Sequence, residues 1–462
     1  MWQSAAVSPF GTMKRPEKAP SIEDLAKSIQ PEDMNRLFSQ GNIAALPTVD
    51  GKYLHWSELR HRTPPEGLDH NLWWLKIKIA RGHARKAVLL KDAGGVPFSF
   101  CIPDSVLETL HKIDGQAAGR IAIPEQVTNP ETRDRYIINS LIEEAINSSQ
   151  LEGASTSRKI ASNMLRSGRN PKSQDERMIL NNYMAMNFVR QVKHEKLTPE
   201  LVLELHRIVT DRTLENTDAA GKLQTSDDVR VGVYDVKSGR RLHVPPPANQ
   251  LQSRLEELCE FANEQHVDSN FLHPVIKAII LHFWIGFDHP FEDGNGRLAR
   301  ALFYWWVLKQ NYWLFEFLSI SRNIKEAPAQ YGYAYLYSET DENDLTYFIV
   351  HQLKVIMSSI ADLEEYLNRK IEQVHALENK LKNAGQFNHR QLALLSHAIR
   401  GSSDGYTFRS HQTSHNIVRA TARADLLSLE ERGLLFKGSR RSGAIVFYPA
   451  EDIDKRIDSL SD

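Results

Sequence analysis

Apolar residues recur three and four positions apart along most of the chain, the period of helices that bury one face. Arg135 to Leu151 puts Ile137, Ile138, Leu141, Ile142 and Ile146 on one side. Two stretches are apolar almost throughout: Ala278 to Phe287, and Ala301 to Leu308 with Phe303, Tyr304, Trp305 and Trp306. They predict two buried helices, with the polar run Asp288 to Arg300 between them. Helix starts are marked at Ser21-Ile22-Glu23-Asp24, at Thr198-Pro199-Glu200 and at Asp344-Leu345-Thr346, where a small polar residue caps and proline fits the first turn. Further helices are expected from Trp73 to Ile79, Asp104 to Leu110, Arg158 to Arg169 and Asp175 to Val192. After Thr346 a seam of Ile356, Ile360, Leu363, Leu367, Ile371, Val374, Leu377 and Leu381 predicts one long helix, packed on its own domain or on a second copy.

Strand patterns are few. Pro97 to Ile102 reads as a short strand. Val229, Val231 and Val233 alternate, then Lys237-Ser238-Gly239 turns and Leu242-His243-Val244 follows, predicting a hairpin. Near the end, helices at Leu392–Ile399 and His411–Ile417 precede one capped by Thr421 and running to Arg432. Strands follow at Leu434–Lys437 and Ala444–Tyr448. That order is the order of a winged helix. The expectation is a mainly α chain: a loose tail over 1–20, a mixed α/β region over 21–125, a helical core over 126–345, a connecting helix over 346–386 and a winged helix over 387–462.

Composition narrows the class. Lys and Arg number 57 against 58 Asp and Glu, so no general affinity for polyanions follows. Residues 390–448 hold nine Lys/Arg against four Asp/Glu. Thr421 and Arg423 on the expected recognition helix and Arg440 and Arg441 in the wing are therefore candidate DNA contacts. Cys101 and Cys259 are the only cysteines, too few for a disulfide framework. The first twenty residues carry no continuous apolar stretch, and the longest apolar runs are too short to cross a bilayer. A cytoplasmic chain without a membrane span is expected. His70, His83 and His111 lack metal-ligand spacing.

The chemistry concentrates in His289-Pro290-Phe291-Glu292-Asp293-Gly294-Asn295-Gly296-Arg297-Leu298-Ala299-Arg300. Gly294 and Gly296 allow positive φ and close approach of a ligand. Asn295 is a good N-cap, and the helix behind it offers free N–H groups and a positive dipole end, an anion site suited to phosphate. Arg297 and Arg300, three apart, can both fork onto phosphate oxygens. Asp293 offers a hard oxygen for Mg²⁺ or Mn²⁺, and His289 stands where a general base is useful. Upstream, Glu152 closes a helix where the dipole disfavours an anion, so a cation should meet it. Gly153 is a natural residue to end that helix.

The twelve residues resemble the Fic signature HPFx(D/E)GNGRxxR at every fixed position, and Ser148, Glu152 and Gly153 resemble the family's inhibitory (S/T)xxxE(G/N) motif. The resemblance implies a helical Fic core with a β-hairpin flap that transfers AMP from ATP to a Ser, Thr or Tyr hydroxyl of a target protein. By that likeness His289 is the base and Asp293 the metal ligand. Gly294, Asn295 and Gly296 cradle the α-phosphate, and Arg297 and Arg300 hold the outer phosphates. Glu152 pairs with Arg300 and obstructs the γ-phosphate. Leu242, His243 and Val244 line the flap's target side, and Tyr331 stacks near the adenine. Gln224 stands where relatives often have Arg. Gly296, where kinase-type relatives have Lys, favours adenylylation. Removal of AMP at the same site, a nucleotide-sensing DNA-binding regulator, and a homodimer through the long helix are the alternatives left open.

Overall fold

The apolar run predicted as a core helix is one. It spans Pro274–Asp288 and, apart from half-buried Gly286, is buried from Val275 to Asp288. The next helix, Asn295–Lys309, is buried nearly as completely. Helices apolar on all sides belong in the middle of a larger body. In this computed structural model the described residues are 13–30, 32–33, 46–118, 130–225, 233–234, 241–264, 271–383, 387–399, 405–439 and 445–459.

In chain order the main elements are α1 (Ile22–Ser28), α2 (His70–Ala84), β1 (Lys86–Lys91), β2 (Pro97–Phe100), α3 (Asp104–Ile113), α4 (Pro130–Leu151), α5 (Arg158–Ser167), α6 (Gln174–Val192) and α7 (Pro199–Thr210). Then come β3 (Val233–Tyr234), β4 (Arg241–His243), α8 (Leu251–Asn263), α9 (Pro274–Asp288), α10 (Asn295–Lys309), α11 (Ile320–Glu326), α12 (Pro328–Thr340) and α13 (Thr346–Asn383). The last are α14 (His389–Ile399), α15 (Phe408–His415), α16 (Arg419–Glu431), β5 (Leu435–Ser439), β6 (Ile445–Pro449) and α17 (Ile453–Ser459). The class is mainly α, with three antiparallel two-stranded sheets among the described residues.

The chain divides into two compact units, 1–121 with 139–360, and 122–138 with 361–462. The boundary falls inside α4 and inside α13. The region expected as a separate N-terminal domain thus shares its unit with the core. The tail expected to be loose is packed where it is described: Met13 is buried with Leu242 and Leu336, and the Ala19 N–H donates to the Thr340 carbonyl at 2.8 Å. The physical reason is that both residues cover apolar surface that would otherwise face water.

In the first unit, α7 starts as its sequence predicts, with the Thr198 hydroxyl accepting the Leu201 N–H and Pro199 in the first turn. The indoles of α10 find acceptors: Trp305 donates to the Val192 carbonyl at 3.2 Å and Trp306 to that of Pro274 at 2.9 Å. Such handles fix the rotation of a helix that apolar contact alone would leave free to turn. Lys78 of α2 donates to Asp341 at 2.7 Å and Arg81 to the Tyr347 hydroxyl at 2.7 Å, all buried. Phe98 of β2 packs edge-on against Phe283 and Phe287 of α9, with centroids 5.3 and 4.9 Å apart.

The second unit has its own core of Leu394, Leu395, Leu426, Leu429, Leu434, Leu435 and Phe447. Asp425 inside it accepts from Arg390 at 2.8 Å and lies 3.1 Å from the His411 ring. β5 and β6 pair in register from Leu435↔Pro449 to Ser439↔Ile445. Thr421 does not cap α16. The helix begins two residues earlier behind Val418, which makes no side-chain cap, and Thr421 is half-buried in its first turn.

Candidate active site

α9 ends where the backbone turns left-handed at His289, φ 46° and ψ 54°. For a residue with a Cβ this costs about 1–2 kcal/mol, so its surroundings must hold it there. The imidazole is half-buried, with Nδ1 3.4 Å from the Gly286 carbonyl. Gly294 then takes φ 85° at the N-cap position of α10, and a Cβ there would stand 2.6 Å from Thr210. Only glycine fits that turn.

Asn295 does not cap the helix. Its amide folds back on Phe291, accepting the Phe291 N–H at 3.0 Å and donating to the Phe291 carbonyl at 2.8 Å. The reason is steric: Gly294 already occupies the cap position, which puts Asn295 one residue inside the helix. The first bond into α10 runs from Leu298 N–H to the Gly294 carbonyl at 2.9 Å. The N–H groups of Asn295, Gly296 and Arg297 precede it, at the positive end of the dipole.

Arg297 points from α10 toward α7. It is fully buried, donating to the Val209 carbonyl at 2.7 Å and to Asp293 Oδ2 at 3.0 Å. A guanidinium so engaged holds the turn against α7. Asp293 is half exposed and its Oδ1 accepts the Gly294 N–H at 2.6 Å. Among the described residues no group of three His, Cys, Asp or Glu could by itself hold a metal ion.

The cation that meets Glu152 is Arg300. Its Nη2 lies 2.8 Å from Glu152 Oε1 and 3.0 Å from the Ser148 carbonyl, and its Nε donates to the Ser148 hydroxyl at 2.8 Å. Burial works against the Arg300 charge, but Glu152, with Tyr331 and Glu144, holds the guanidinium more firmly protonated. A Cβ on Gly296 would stand 2.1 Å from Glu152 Oε1, so the carboxylate lies directly on the start of α10. Gly153 follows with φ 99°, ending α4 in the conformation glycine takes most readily.

Tyr331 is only 4% exposed. Its hydroxyl is 2.7 Å from His282 Nε2, and its ring packs near Phe348 and His351. An adenine could stack on it only by displacing these partners, because α12 lays the residue inward. Of the flap residues, Leu242 is buried and His243 is turned inward, with Nε2 2.7 Å from the Phe287 carbonyl and Nδ1 2.8 Å from Glu339. Val244 alone of the three is exposed. β4 pairs with β3, and its burial does not alternate, since the adjacent Leu242 and His243 are both covered. Val229, Val231 and the turn at Lys237–Gly239 lie outside the described residues, as do Arg440 and Arg441. Arg423 is exposed on α16.

Sequence reasoning missed the platform under the turn. His206 of α7 is fully buried and stacks on Phe291, with centroids 3.7 Å apart and planes at 11°. Its Nδ1 accepts the Gly221 N–H at 2.9 Å, so Nε2 carries the proton and donates to the Asp293 carbonyl at 2.8 Å. Burial pushes its pKa down to about 4, which keeps the ring neutral. On an amphipathic helix such a histidine reads as ordinary core, and no local signal marks it.

Residues 196–307 match the Fic/DOC family model. Over 144 residues the chain is 33% identical to the protein adenylyltransferase Fic of Drosophila virilis, covering 30% of this chain and 27% of that protein. Over 110 residues it is 31% identical to the same-named protein of Nematostella vectensis, covering 24% and 22%. The chain thus spans about a quarter of the length of the curated relatives it matches. A Fic family protein from Desulfovibrio desulfuricans G20 aligns with 75% of this chain and 94% of its own, at 17% identity and a TM-score of 0.47. The signature turn at the start of α10 lies inside the span, residues 196–307, that matches the Fic/DOC family model.

Proposed function

We propose that the chain transfers AMP from ATP to a hydroxyl of a target protein, and that Glu152 restrains the transfer. The observation that carries this reading is the start of α10: backbone N–H groups at a positive dipole end, with the His289 imidazole at the entrance. Phosphate is the guest such a site takes. The named activity of the Drosophila and Nematostella relatives supports the choice of AMP.

With Nδ1 turned toward the Gly286 carbonyl, Nε2 is the nitrogen that takes the proton from the attacking hydroxyl. The hydroxyl oxygen bonds to the α-phosphorus, the bond from that phosphorus to the bridging oxygen breaks, and pyrophosphate leaves. The Gly294–Arg297 backbone neutralises charge that builds on the α-phosphate. Asp293 would hold a magnesium ion, whose charge offsets that of the phosphates. Its half-exposed carboxylate fits, because Mg²⁺ takes one or two protein carboxylates and fills its shell with phosphate oxygens and water.

Glu152 places a carboxylate where the outer phosphates would lie and occupies the arginine that would receive them. Removing it opens the site. Glu152→Gly is therefore expected to raise transfer by about tenfold or more, a change of about 1.4 kcal/mol in barrier. The test is incubation of wild type and Glu152→Gly with ATP labelled on the α- or the γ-phosphate, in the presence of cell lysate. Label on protein from the α-position only, and chiefly with the variant, supports the reading. Label from the γ-position would make the chain a kinase and overturn it.

A further inference from the structure

The left-handed conformation of His289 is strained for a histidine, so something must over-determine it. Three ties surround it. His243 Nε2 meets the Phe287 carbonyl at 2.7 Å, and the Gln224 N–H donates to the Pro290 carbonyl at 3.0 Å. The third holds Asp288, the residue just before His289. Its Oδ1 accepts from Arg254 Nε at 2.9 Å and Nη2 at 2.5 Å, and its Oδ2 accepts the Trp284 indole N–H at 2.9 Å. Arg254 is 6% and Asp288 4% exposed.

Arg254 does one thing more. Its Nη2 also donates to the Lys91 carbonyl at 2.6 Å, at the end of β1. The same hairpin sends Phe98 against Phe283 and Phe287, one and a half turns and one residue before Asp288. A region with no chemistry of its own thus meets the end of α9 twice, once through an aromatic ring and once through a guanidinium.

Resting on the reading of His289 as the base, we infer that Arg254 is a positioning residue for it. By clamping Asp288 to the carbonyl of Lys91, Arg254 makes the β1–β2 hairpin the rigid backstop that keeps the imidazole aimed at the α-phosphorus. The phosphates are held elsewhere, by the start of α10 and by Arg300. Loss of the clamp should therefore spoil aim without weakening nucleotide binding. Misplacement of a reacting group by about an ångström is enough to cost up to a hundredfold in rate.

The experiment uses Glu152→Gly as parent and adds Arg254→Lys, or Arg254→Met with Asp288→Asn. The paired change removes both buried charges together, because Arg254→Met alone would strand an ionised carboxylate in the interior. Thermal melting checks folding, calorimetry with magnesium-ATP gives Kd, and α-labelled ATP gives kcat and KM. The expected result is a folded protein with Kd and KM within about twofold of the parent and kcat lower by about tenfold or more, with Arg254→Lys falling between. Unchanged kcat in a folded double variant, or a loss confined to Kd, would overturn the inference. If the parent itself transfers no label, the reading of the base fails instead. The clamp is then tested by NMR of ring-labelled histidines: the His289 signal should shift or split in the variants while that of His206 stays put, and an unmoved His289 signal would refute it.

Discussion

Arg297 and Arg300 sit three residues apart with the same side chain, yet the structure gives them different work. Arg300 faces the start of α10 through Ser148 and Glu152, whereas Arg297 is buried against Val209 and Asp293. Arg297→Met should therefore cost about 1–3 kcal/mol of stability, from a buried carbonyl left without its donor, measured by urea unfolding. Unchanged stability with weakened ATP binding would restore Arg297 to the phosphate clamp that spacing alone predicts. Identity and spacing made the Gly-bearing turn at the start of a buried helix legible, and Glu152 legible as a residue awaiting a cation. They could not assign Asn295 or Arg297, because those roles depend on Phe291, Val209 and the cap position of Gly294. The burial of Tyr331 against His282, Phe348 and His351 was hidden for a similar reason, since those partners lie on other elements or far along the chain.

The end of α4 meets Arg300. Ser148 and Glu152 are one turn apart, and both meet Arg300. Ser148→Ala removes the bond to Arg300 Nε but leaves the Ser148 carbonyl and Glu152 in place. It should raise transfer by about two- to fivefold, the loss of one hydrogen bond worth roughly 0.5–1 kcal/mol, and by less than Glu152→Gly does in the same α-label assay. An equal or larger rise would mean that the serine, not the carboxylate, sets the restraint. The helix itself was readable from its apolar period, as was α9, because long periodic runs leave little choice. β1 was not foreseen: Lys86 to Lys91 carries Lys at both ends and only four apolar residues, and it becomes a strand by pairing with β2. The role inferred for Arg254 was equally hidden, since its partners lie 34 and 163 residues away.

At the level of the molecule, the two units differ in what they report. All eight tryptophans fall at or before residue 313, in the unit that holds the candidate site. Their fluorescence therefore follows that unit's unfolding. The same unit buries His55, His206 and His351, each pushed down to about 4 chiefly by loss of water. Stability from these groups is fully present above the unfolded value near 6.5 and is lost as pH falls toward 4. Each contributes up to about 3 kcal/mol, because each is held near 4 in the fold against about 6.5 in the unfolded chain. His243 works the other way: burial pushes it down, but Glu339, the Phe287 carbonyl and Asp288 together raise it, so its share is lost as pH rises. His282 is likewise held well below its ordinary value by burial, so with four histidines against one the urea midpoint read by tryptophan fluorescence should drop steadily between pH 6.5 and pH 4.5. A midpoint that held or rose would contradict the burial of these rings. No helix among the described residues is long and apolar enough to cross a membrane. The most direct test of the whole account is label transfer from α-labelled ATP by three proteins side by side: wild type, Glu152→Gly, and Glu152→Gly with His289→Ala. The account predicts little transfer by the first, strong transfer by the second, and a fall of about a hundredfold or more in the third. Equal labelling by the second and third would leave His289 without a part in the chemistry and contradict the account.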